Sequence, residues 1–341
     1  MRRHGTWTSG CVALATLFLA GPAAQAGAAS RLDQIRARGV VTCGVGPGVP
    51  GFSEVDSQGR YSGFDIDICR ALSAAIFGQP DRVRFVITAT IQDFLKSTDI
   101  DLVSRRLTWT LAREGLGVLF GPVTFYDGQG FLVPKKRGAQ RIADLAGATV
   151  CVVANSEHDV NLTSFMTANK LALKKVPIAD VKESRAALTN GRCQAFSDDV
   201  SALGGLRSAL PLPDDFEIIP ELMTKEPLAQ LVRQDDVQFF NILRWTIFAT
   251  IEAEELGVAS ANVDRMLKSG NPGIQNLLGV TGNTGKALGL DAKWGYNIIK
   301  SLGNYGEIFE RNAGAGSRIK LARGLNRLWK DGGLIYAPPL Q

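Results

Sequence analysis

In the first part of the chain, short apolar runs alternate with amphipathic stretches. Residues 39–45, 83–87 and 100–103 are apolar runs of strand length, and the apolar positions of 65–76 recur at helical spacing. Strands separated by helices in this way pair in parallel through helical crossovers. This part of the sequence therefore predicts an α/β sheet.

A second set of the same units follows the polar stretch 135–140. The set has predicted strands at 149–153, 174–176, 193–197 and 217–219, and predicted helices at 141–146, 157–168, 181–190 and 200–210. Apolar runs at 128–133 and 226–232 flank this set and are predicted to be connecting strands. A chain that leaves one α/β lobe, builds a second and returns to the first forms a two-lobed clam-shell.

The last part of the chain is predicted to be mostly helical, with helices at 238–256, 294–301 and 319–331. The predicted divisions are a signal peptide at 1–28, the first part of lobe 1 at 29–132, lobe 2 at 133–226, and 227–341, which returns to lobe 1 and adds a helical C-terminal extension. About 315 residues beyond the signal peptide favour two domains over one.

The N-terminus has the pattern of a secretory signal. Arg2 and Arg3 precede an apolar core at 11–20, and small residues at 24–26 form a cleavage site. The core is too short to span a bilayer, which takes about 20 apolar residues. We therefore expect a soluble protein exported to the periplasm.

Charge and histidine content exclude several classes of function. The full chain carries a formal net charge of +5, and without Arg2 and Arg3 it would carry +3, which is too little to indicate a nucleic-acid partner or an anionic membrane surface. Outside the signal peptide His158 is the single histidine, which argues against a multi-histidine zinc site and most hydrolases. We expect no metal, no cofactor and no nucleic acid. His158 itself is expected to be exposed in the first turn of a helix.

Four cysteines remain beyond the signal peptide, and an even number in an exported protein favours disulfides. Cys43 ends the first predicted strand and Cys69 lies in the next helix, whereas Cys151 and Cys193 both lie in the second half. We expect the pairs 43–69 and 151–193, one in each lobe. The alternative is that all four are small buried thiols.

Side chains that could bind a ligand are most concentrated at Ser104–Arg113, where the chain leaves a predicted strand and begins a helix. Thr108, Trp109 and Arg113 fall within six residues. Free backbone N–H groups at a helix start, together with an arginine fork, can hold a small carboxylate. The alternative is a solvated Arg–Thr pair at the surface.

Other candidate residues have a plain structural alternative. Phe52 follows the first strand, where open α/β sheets bind ligands, but a core position would also suit it. Asp65 and Asp67 are expected to cap a helix rather than bind a metal, and Asp198 and Asp199 could equally cap the helix that follows them.

Several motifs resemble the solute-binding proteins of polar amino-acid ABC transporters, which have the type II periplasmic binding-protein fold. The resemblance covers 31–341 and is closest to the general L-amino-acid and glutamate/glutamine/aspartate receptors. The motifs that carry it are G-F-D-I-D-I-C-R-A (63–71), L-T-W-T-L-A-R (107–113), Y-D-G-Q-G-F (126–131), K-E-P-L (225–228), W-G-Y-N-I-I-K (294–300), G-N-Y-G-E-I-F-E-R-N (303–312), A-R-G-L-N (322–326) and G-G-L-I-Y-A-P-P (332–339).

The resemblance implies a ligand site divided between the lobes. Arg113 matches the arginine that binds the α-carboxylate of an amino acid, and Thr108 matches the threonine beside it. Asp199 matches the aspartate that binds the α-ammonium, and Asn155 and Ser156 stand where a Gly-Thr pair supplies donors to the carboxylate. The implied partners are an L-amino acid and the membrane permease of an ABC transporter, with no catalysis.

The sequence departs from the family pattern at the pocket. The segment 94–101 is about two residues shorter than the family's, and Arg106 and Leu107 replace Asn and Thr. Asn155 replaces a glycine that lies close to the ligand. We expect these changes to alter specificity, and Arg106 to favour acidic side chains.

Two other functions remain open. Asp198, Asp199 and Glu157 could belong to an enzyme of the same fold, such as a dehydratase or lyase, in which one carboxyl has a raised pKa. The altered pocket could instead indicate a degenerate or repurposed module that binds another protein.

Overall fold

A computed structural model describes residues 1, 2, 4, 5 and 29–340. The apolar core and cleavage site of the predicted signal peptide lie outside these residues. The strands are β1 (Val41–Val45), β2 (Glu54–Val55), β3 (Tyr61–Ser62), β4 (Val83–Ile87), β5 (Leu102–Ser104), β6 (Val118–Asp127), β7 (Gln129–Pro134), β8 (Thr149–Val153), β9 (Lys174–Ile178), β10 (Ala195–Asp199), β11 (Phe216–Ile218) and β12 (Glu226–Arg233).

The α-helices alternate with these strands through the first two thirds of the chain and dominate the last third. They are α1 (Arg31–Arg38), α2 (Phe64–Phe77), α3 (Ile91–Lys96), α4 (Leu111–Glu114), α5 (Glu157–Asn169), α6 (Val181–Thr189), α7 (Val200–Ser208), α8 (Val237–Glu255), α9 (Val263–Met266), α10 (Pro272–Leu277), α11 (Thr284–Leu288), α12 (Trp294–Leu302) and α13 (Tyr305–Asn312). No helix within the described residues has the length and apolar character to cross a membrane.

Lobe 1 is built on a five-stranded sheet with the order β4-β1-β5-β12-β6. β1 pairs in parallel with β4 and β5, and β12 pairs antiparallel with β5 and β6. The helices α2, α8, α12 and α13 bury their apolar faces in the core of this lobe. The parallel centre follows from the helical crossovers that join β1, β4 and β5.

Lobe 2 is built on a second five-stranded sheet with the order β11-β7-β10-β8-β9. Successive side chains of a strand point to opposite faces, and β8 shows this directly: Val150 and Val152 join one apolar cluster with Leu162 of α5, while Cys151 joins another with Leu203 of α7. Helices therefore cover both faces of this sheet, and the α/β two-lobed fold is confirmed.

The chain passes from the first sheet to the second at Gly128. A Cβ at Gly128 would lie 2.6 Å from the carbonyl oxygen of Thr224, so the crossing requires glycine. β7 pairs only with strands of lobe 2, antiparallel to β10 and β11. The sheet therefore changes before residue 132, where the sequence placed the end of the first part of lobe 1. The chain returns to the first sheet with β12.

Asp65 does not cap α2, contrary to the sequence expectation. The N-cap is Gly63, where a Cβ would lie 2.2 Å from the carbonyl oxygen of Phe52. Asp65 follows inside the first turn and is buried, with Oδ1 accepting a hydrogen bond from Ser104 Oγ at 3.3 Å. Burial raises the pKa of Asp65 to about 6, against the opposing charge of Arg106.

The helix predicted at 319–331 is wrong. Residues 318–327, here called the C-terminal strap, are irregular and contain one 3-10 turn at Gly324–Asn326. The strap reaches lobe 2, because Arg207 Nη2 donates to the carbonyl oxygens of Ile319 and Lys320 at 2.7 and 2.9 Å. Leu321 is buried beside Gly204 of α7, where a Cβ on the glycine would lie 2.8 Å from Leu321. The 141–146 segment is likewise a 3-10 turn, Ile142–Leu145.

Both predicted disulfides are present. Cys43–Cys69 joins β1 to α2, and Cys151–Cys193 joins β8 to the approach to β10. All four cysteines are buried. Each lobe thus contains its own disulfide, and no disulfide between the described residues joins the two lobes.

Removing the disulfide of lobe 2 tests its contribution to stability. The double substitution Cys151→Ala and Cys193→Ala releases a loop with a sequence separation of 42, so we expect the free energy of unfolding to fall by about 4 kcal/mol from loop entropy. Urea unfolding with and without dithiothreitol measures this. Equal stability of oxidised wild type and double variant would contradict the prediction.

Candidate functional site

The lobe 1 side of the candidate site is the segment that joins β5 to β6. α4 is a single short helix whose N-cap is Thr110, and Arg113 Nη1 donates to the backbone carbonyl of Thr108 at 2.8 Å. Thr108 pairs with Leu228 of β12 in an isolated bridge, which fixes the segment against the sheet. Thr108 and Arg113 are both half-buried. The two predicted carboxylate ligands are therefore neighbours, and the sheet fixes their position.

Trp109 extends the same surface outward. Its indole stacks on Phe120 with the ring centroids 5.9 Å apart, and its Nε1 donates to Glu114 at 3.0 Å. The side chain is 37% exposed, so one face of the indole remains available to a ligand or to solvent.

Phe52 lies in the core of lobe 1. It is 1% exposed and packs edge-on against Phe125, with ring centroids 5.3 Å apart. The guanidinium of Arg106 lies 5.5 Å from the centre of the Phe52 ring, close enough for a cation–π contact. Phe52 therefore supports Arg106, and a direct ligand contact by Phe52 stays a prediction.

The lobe 2 side begins where β8 meets α5. Ser156 is the N-cap of α5: its Oγ accepts from the backbone N–H of Asp159 at 3.2 Å and donates to the carbonyl of Val153 at 2.6 Å. Asn155 adopts a left-handed backbone with φ of 57°, a conformation that asparagine tolerates better than most residues. Asn155 therefore keeps, directly before the N-cap of α5, a backbone conformation that a glycine would also adopt.

Asp199 ends β10 and occupies the N-cap position of α7, but its side chain makes no capping hydrogen bond. Its Oδ1 lies 3.1 Å from His158 Nε2 instead. Asp198 Oδ1 lies 3.4 Å from the same nitrogen and accepts from the backbone N–H of Asp199 at 2.8 Å. The capping alternative for these aspartates is wrong, and so is the expectation that His158 is simply exposed.

The environment of His158 favours the charged imidazolium. Burial alone would lower the pKa of His158, but the hydrogen bond to Asp199 and the charges of Asp198, Asp199 and Glu157 raise it to about 9. The side chain is 27% exposed. At neutral pH the site in lobe 2 therefore contains an ion pair.

Two further residues connect the halves of the site. Arg106 of lobe 1 has a left-handed backbone with φ of 51°, and its Nη1 donates to Ser201 Oγ of α7. Asp127, the last residue of β6, accepts from the backbone N–H groups of Gly128 at 2.9 Å and Ser201 at 3.2 Å. These contacts tie the segment that joins β6 to β7 through Gly128, here called the crossing strand, to the start of α7, directly beside Asp199.

Asp127 is a carboxyl that is costly to ionise in the folded protein. It is fully buried, and no partner of its Oδ2 is found among the described residues. Burial and the charge of Asp199 raise the pKa of Asp127 to about 7. Sequence reasoning missed this residue, although Asp127 lies within the motif Y-D-G-Q-G-F that signalled the family.

His158, Asp198 and Asp199 also form the one cluster of three metal-type ligands found within the described residues. Their ligand atoms all lie within 4.8 Å of one another, and imidazole with carboxylates is a donor set that transition metals accept. The close His158–Asp199 hydrogen bond shows that the three groups already satisfy one another without an ion.

A separate cavity lies between the crossing strand and the C-terminal strap. Tyr126, Arg207, Leu321 and Asn326 are among its lining residues, and it contains none of the predicted ligand-binding residues. Asp127 and Gly128 also line this cavity, so it adjoins the crossing, but the predicted ligand-binding side chains lie outside it.

The chain matches the family of bacterial extracellular solute-binding proteins, family 3, over residues 41–312. It is 45% identical over 323 residues to the general L-amino acid-binding periplasmic protein AapJ of Rhizobium johnstonii, covering 93% of this chain and 95% of AapJ. It is 44% identical over 334 residues to the putative amino-acid ABC transporter-binding protein YhdW of Escherichia coli, covering 97% and 98% of the two chains.

A solved structure shows the same architecture. An ABC transporter or periplasmic binding protein from Brucella ovis with glutathione bound aligns with a TM-score of 0.82 and 43% identity, covering 92% of this chain and all of that one. The chain described here belongs to family 3 of the bacterial extracellular solute-binding proteins. The family recognised from the motifs is thereby confirmed.

Asp127→Asn tests the cost of ionising Asp127 at the crossing. Asp127 has a folded-state pKa of about 7, above the ordinary value of about 3.9, so its contribution to stability falls as pH rises from about 4 to 7. The asparagine does not titrate, so the variant should gain stability relative to wild type over that window, by about 4 kcal/mol at most.

Urea unfolding at pH 4.5, 6 and 7.5 measures the gain. Asp81→Asn removes a carboxylate whose side chain is 86% exposed and is the matched control. A stability difference between Asp127→Asn and wild type that does not grow with pH would contradict the assignment.

Proposed function

We propose that this protein is a periplasmic receptor that binds an L-amino acid between its two lobes and delivers it to the permease of an ABC transporter. The observation that carries the proposal is the division of charge: Arg113 with Thr108 lies on lobe 1, and Asp199 lies on lobe 2 beside the start of α5. Membership of the solute-binding family and the names of its relatives support it.

The chemistry of a zwitterion suits this division. An α-carboxylate can accept two parallel hydrogen bonds from the Arg113 fork and one from Thr108, while an α-ammonium pairs with Asp199. The N-terminal N–H groups of α5 at Ser156 add dipolar stabilisation of the carboxylate. Because the charged partners belong to different lobes, closure gains most of its free energy only when ligand is present.

The relatives suggest how broad the ligand class is. AapJ is named as a general L-amino acid-binding protein, and the structure from Brucella ovis holds glutathione. The γ-glutamyl end of glutathione carries a free α-ammonium and α-carboxylate. Both names are consistent with a site that recognises this common group and tolerates different side chains.

The buried carboxylates support binding rather than catalysis. Asp65 and Asp127 have raised pKa values, as a general acid would need. Each is nevertheless held by contacts inside the protein: Asp65 accepts from Ser104, and Asp127 accepts from Gly128 and Ser201. These contacts give both carboxylates a structural role where the chain crosses between the lobes, which supports binding as the function of the site.

Ligand-dependent stability tests the proposal. Each of the twenty common L-amino acids should be screened by thermal shift against the full chain, because a ligand that binds only the folded state adds about 2.7 kcal/mol at a hundredfold excess over Kd. We expect stabilisation by several amino acids and its loss in Arg113→Ala and in Asp199→Asn.

Arg60→Ala is the matched control for these variants, since Arg60 is an exposed arginine paired with Asp56 in a turn of lobe 1. It should respond to amino acids as wild type does. A folded wild-type protein that no amino acid stabilises would contradict the receptor assignment and favour a repurposed binding module.

Arg106 is proposed to tune side-chain specificity. Its guanidinium lies between the lobes on Ser201 and over Phe52, so an acidic ligand side chain that reaches it would gain a charge-assisted hydrogen bond. We expect wild type to prefer aspartate and glutamate over leucine and lysine, and Arg106→Asn to lose that preference by about tenfold. Competition calorimetry measures the ratio; an unchanged ratio in the variant would contradict this role.

A further inference from the structure

The carboxylate that the proposed function assigns to the ligand's ammonium already has a cationic partner. His158 Nε2 lies 3.1 Å from Asp199 Oδ1, within hydrogen-bond distance, and 3.4 Å from Asp198 Oδ1. Gln129 Nε2 donates to the backbone carbonyl of His158 at 2.9 Å and to Ser197 Oγ at 2.9 Å, which fixes the first turn of α5 against β10. The imidazole is thus held in place by lobe 2 itself.

The acidic groups around His158 stabilise the positive charge of its imidazolium, whereas the dipole of α5 destabilises it. Asp198 and Asp199 face the ring from the end of β10, Glu157 acts from α5, and Arg106 and Asp127 form the next layer of charge at the lobe crossing. The first turn of α5 carries the positive end of the helix dipole, which disfavours a cation there. The imidazolium therefore depends on the two aspartates for its charge.

We propose that the imidazolium of His158 is the resident counter-ion of Asp199 and occupies the place of the ligand's α-ammonium, so that an amino acid binds by exchange with it. This proposal rests on the proposed receptor function, and it identifies His158 as a residue that sets the affinity of the protein for the amino acid. On exchange, the ammonium takes over the hydrogen bond to Asp199, and the Nε2 proton of His158 passes to solvent. Charge at the site is thereby conserved.

This exchange has two measurable consequences. Binding releases a proton at neutral pH, so the affinity of wild type for an amino acid should rise as pH increases from 6.5 to 8.5. Replacing the histidine by a neutral side chain should free Asp199 and tighten binding. Both effects arise at one residue, which distinguishes them from general changes in lobe closure.

The test compares wild type, His158→Gln and the control Lys175→Gln. Lys175 of β9 pairs with Asp159 of α5 at 2.5 Å, so its substitution removes a cation beside the same helix without touching Asp199. Thermal shift with each of the twenty common L-amino acids identifies the probe that stabilises any of the three proteins most. Calorimetry with that amino acid at pH 7, in phosphate and in Tris buffer, then gives affinity and proton release.

We expect His158→Gln to bind about tenfold more tightly than wild type and Lys175→Gln to match wild type, with close to one proton released by wild type and none by His158→Gln. Binding by the variant alone would also support the exchange. Equal affinities without proton release would overturn the inference and leave the receptor function standing. Absence of binding by wild type and by the folded variant would overturn both.

A measurement on the unaltered protein covers the case in which the variant does not fold. The chain has two histidines, His4 and His158, so the ring resonances of His158 can be followed by NMR as pH is varied. A titration of His158 near pH 9 that moves to lower pH when the amino acid is added supports the exchange. A His158 titration that the ligand leaves unchanged overturns it.

Discussion

The balance of charge where the two lobes meet is the constraint on which the rest of this structure depends. Three carboxylates, those of Asp127, Asp198 and Asp199, lie close together there, and Arg106 and His158 are the cations that offset them. Buried carboxylates are costly unless they are paired or protonated. The same charges therefore hold α7 beside the crossing strand. They also require that a ligand supply a positively charged group to Asp199.

Most of the fold follows from local pattern, and the largest departure from it has a tertiary cause. The strands of both sheets and the helices between them have clear periodicity, and both cysteine pairs connect elements that pack together. The C-terminal strap does not follow its local pattern, because Arg207 binds its carbonyl groups and Leu321 fills the space beside Gly204. Contacts with another lobe cannot be seen in a helical spacing of apolar residues.

The site divides in the same way between local and distant determinants. Thr108, Trp109 and Arg113 are close in sequence, and the strand-to-helix transition that positions them could be predicted. The contact of His158 with Asp199 joins residues 41 positions apart. The sequence around either residue gives no indication of this contact. The role of Asp127 depends on its burial at the crossing, which no composition or spacing indicates.

A crystal structure of the protein grown with the amino acid that stabilises it most tests the central claim directly. We expect one amino acid between the lobes, with its α-carboxylate on Arg113 and Thr108 and its α-ammonium on Asp199. An amino acid bound in the cavity beside the C-terminal strap, or one between the lobes that does not touch Arg113 and Asp199, would contradict it.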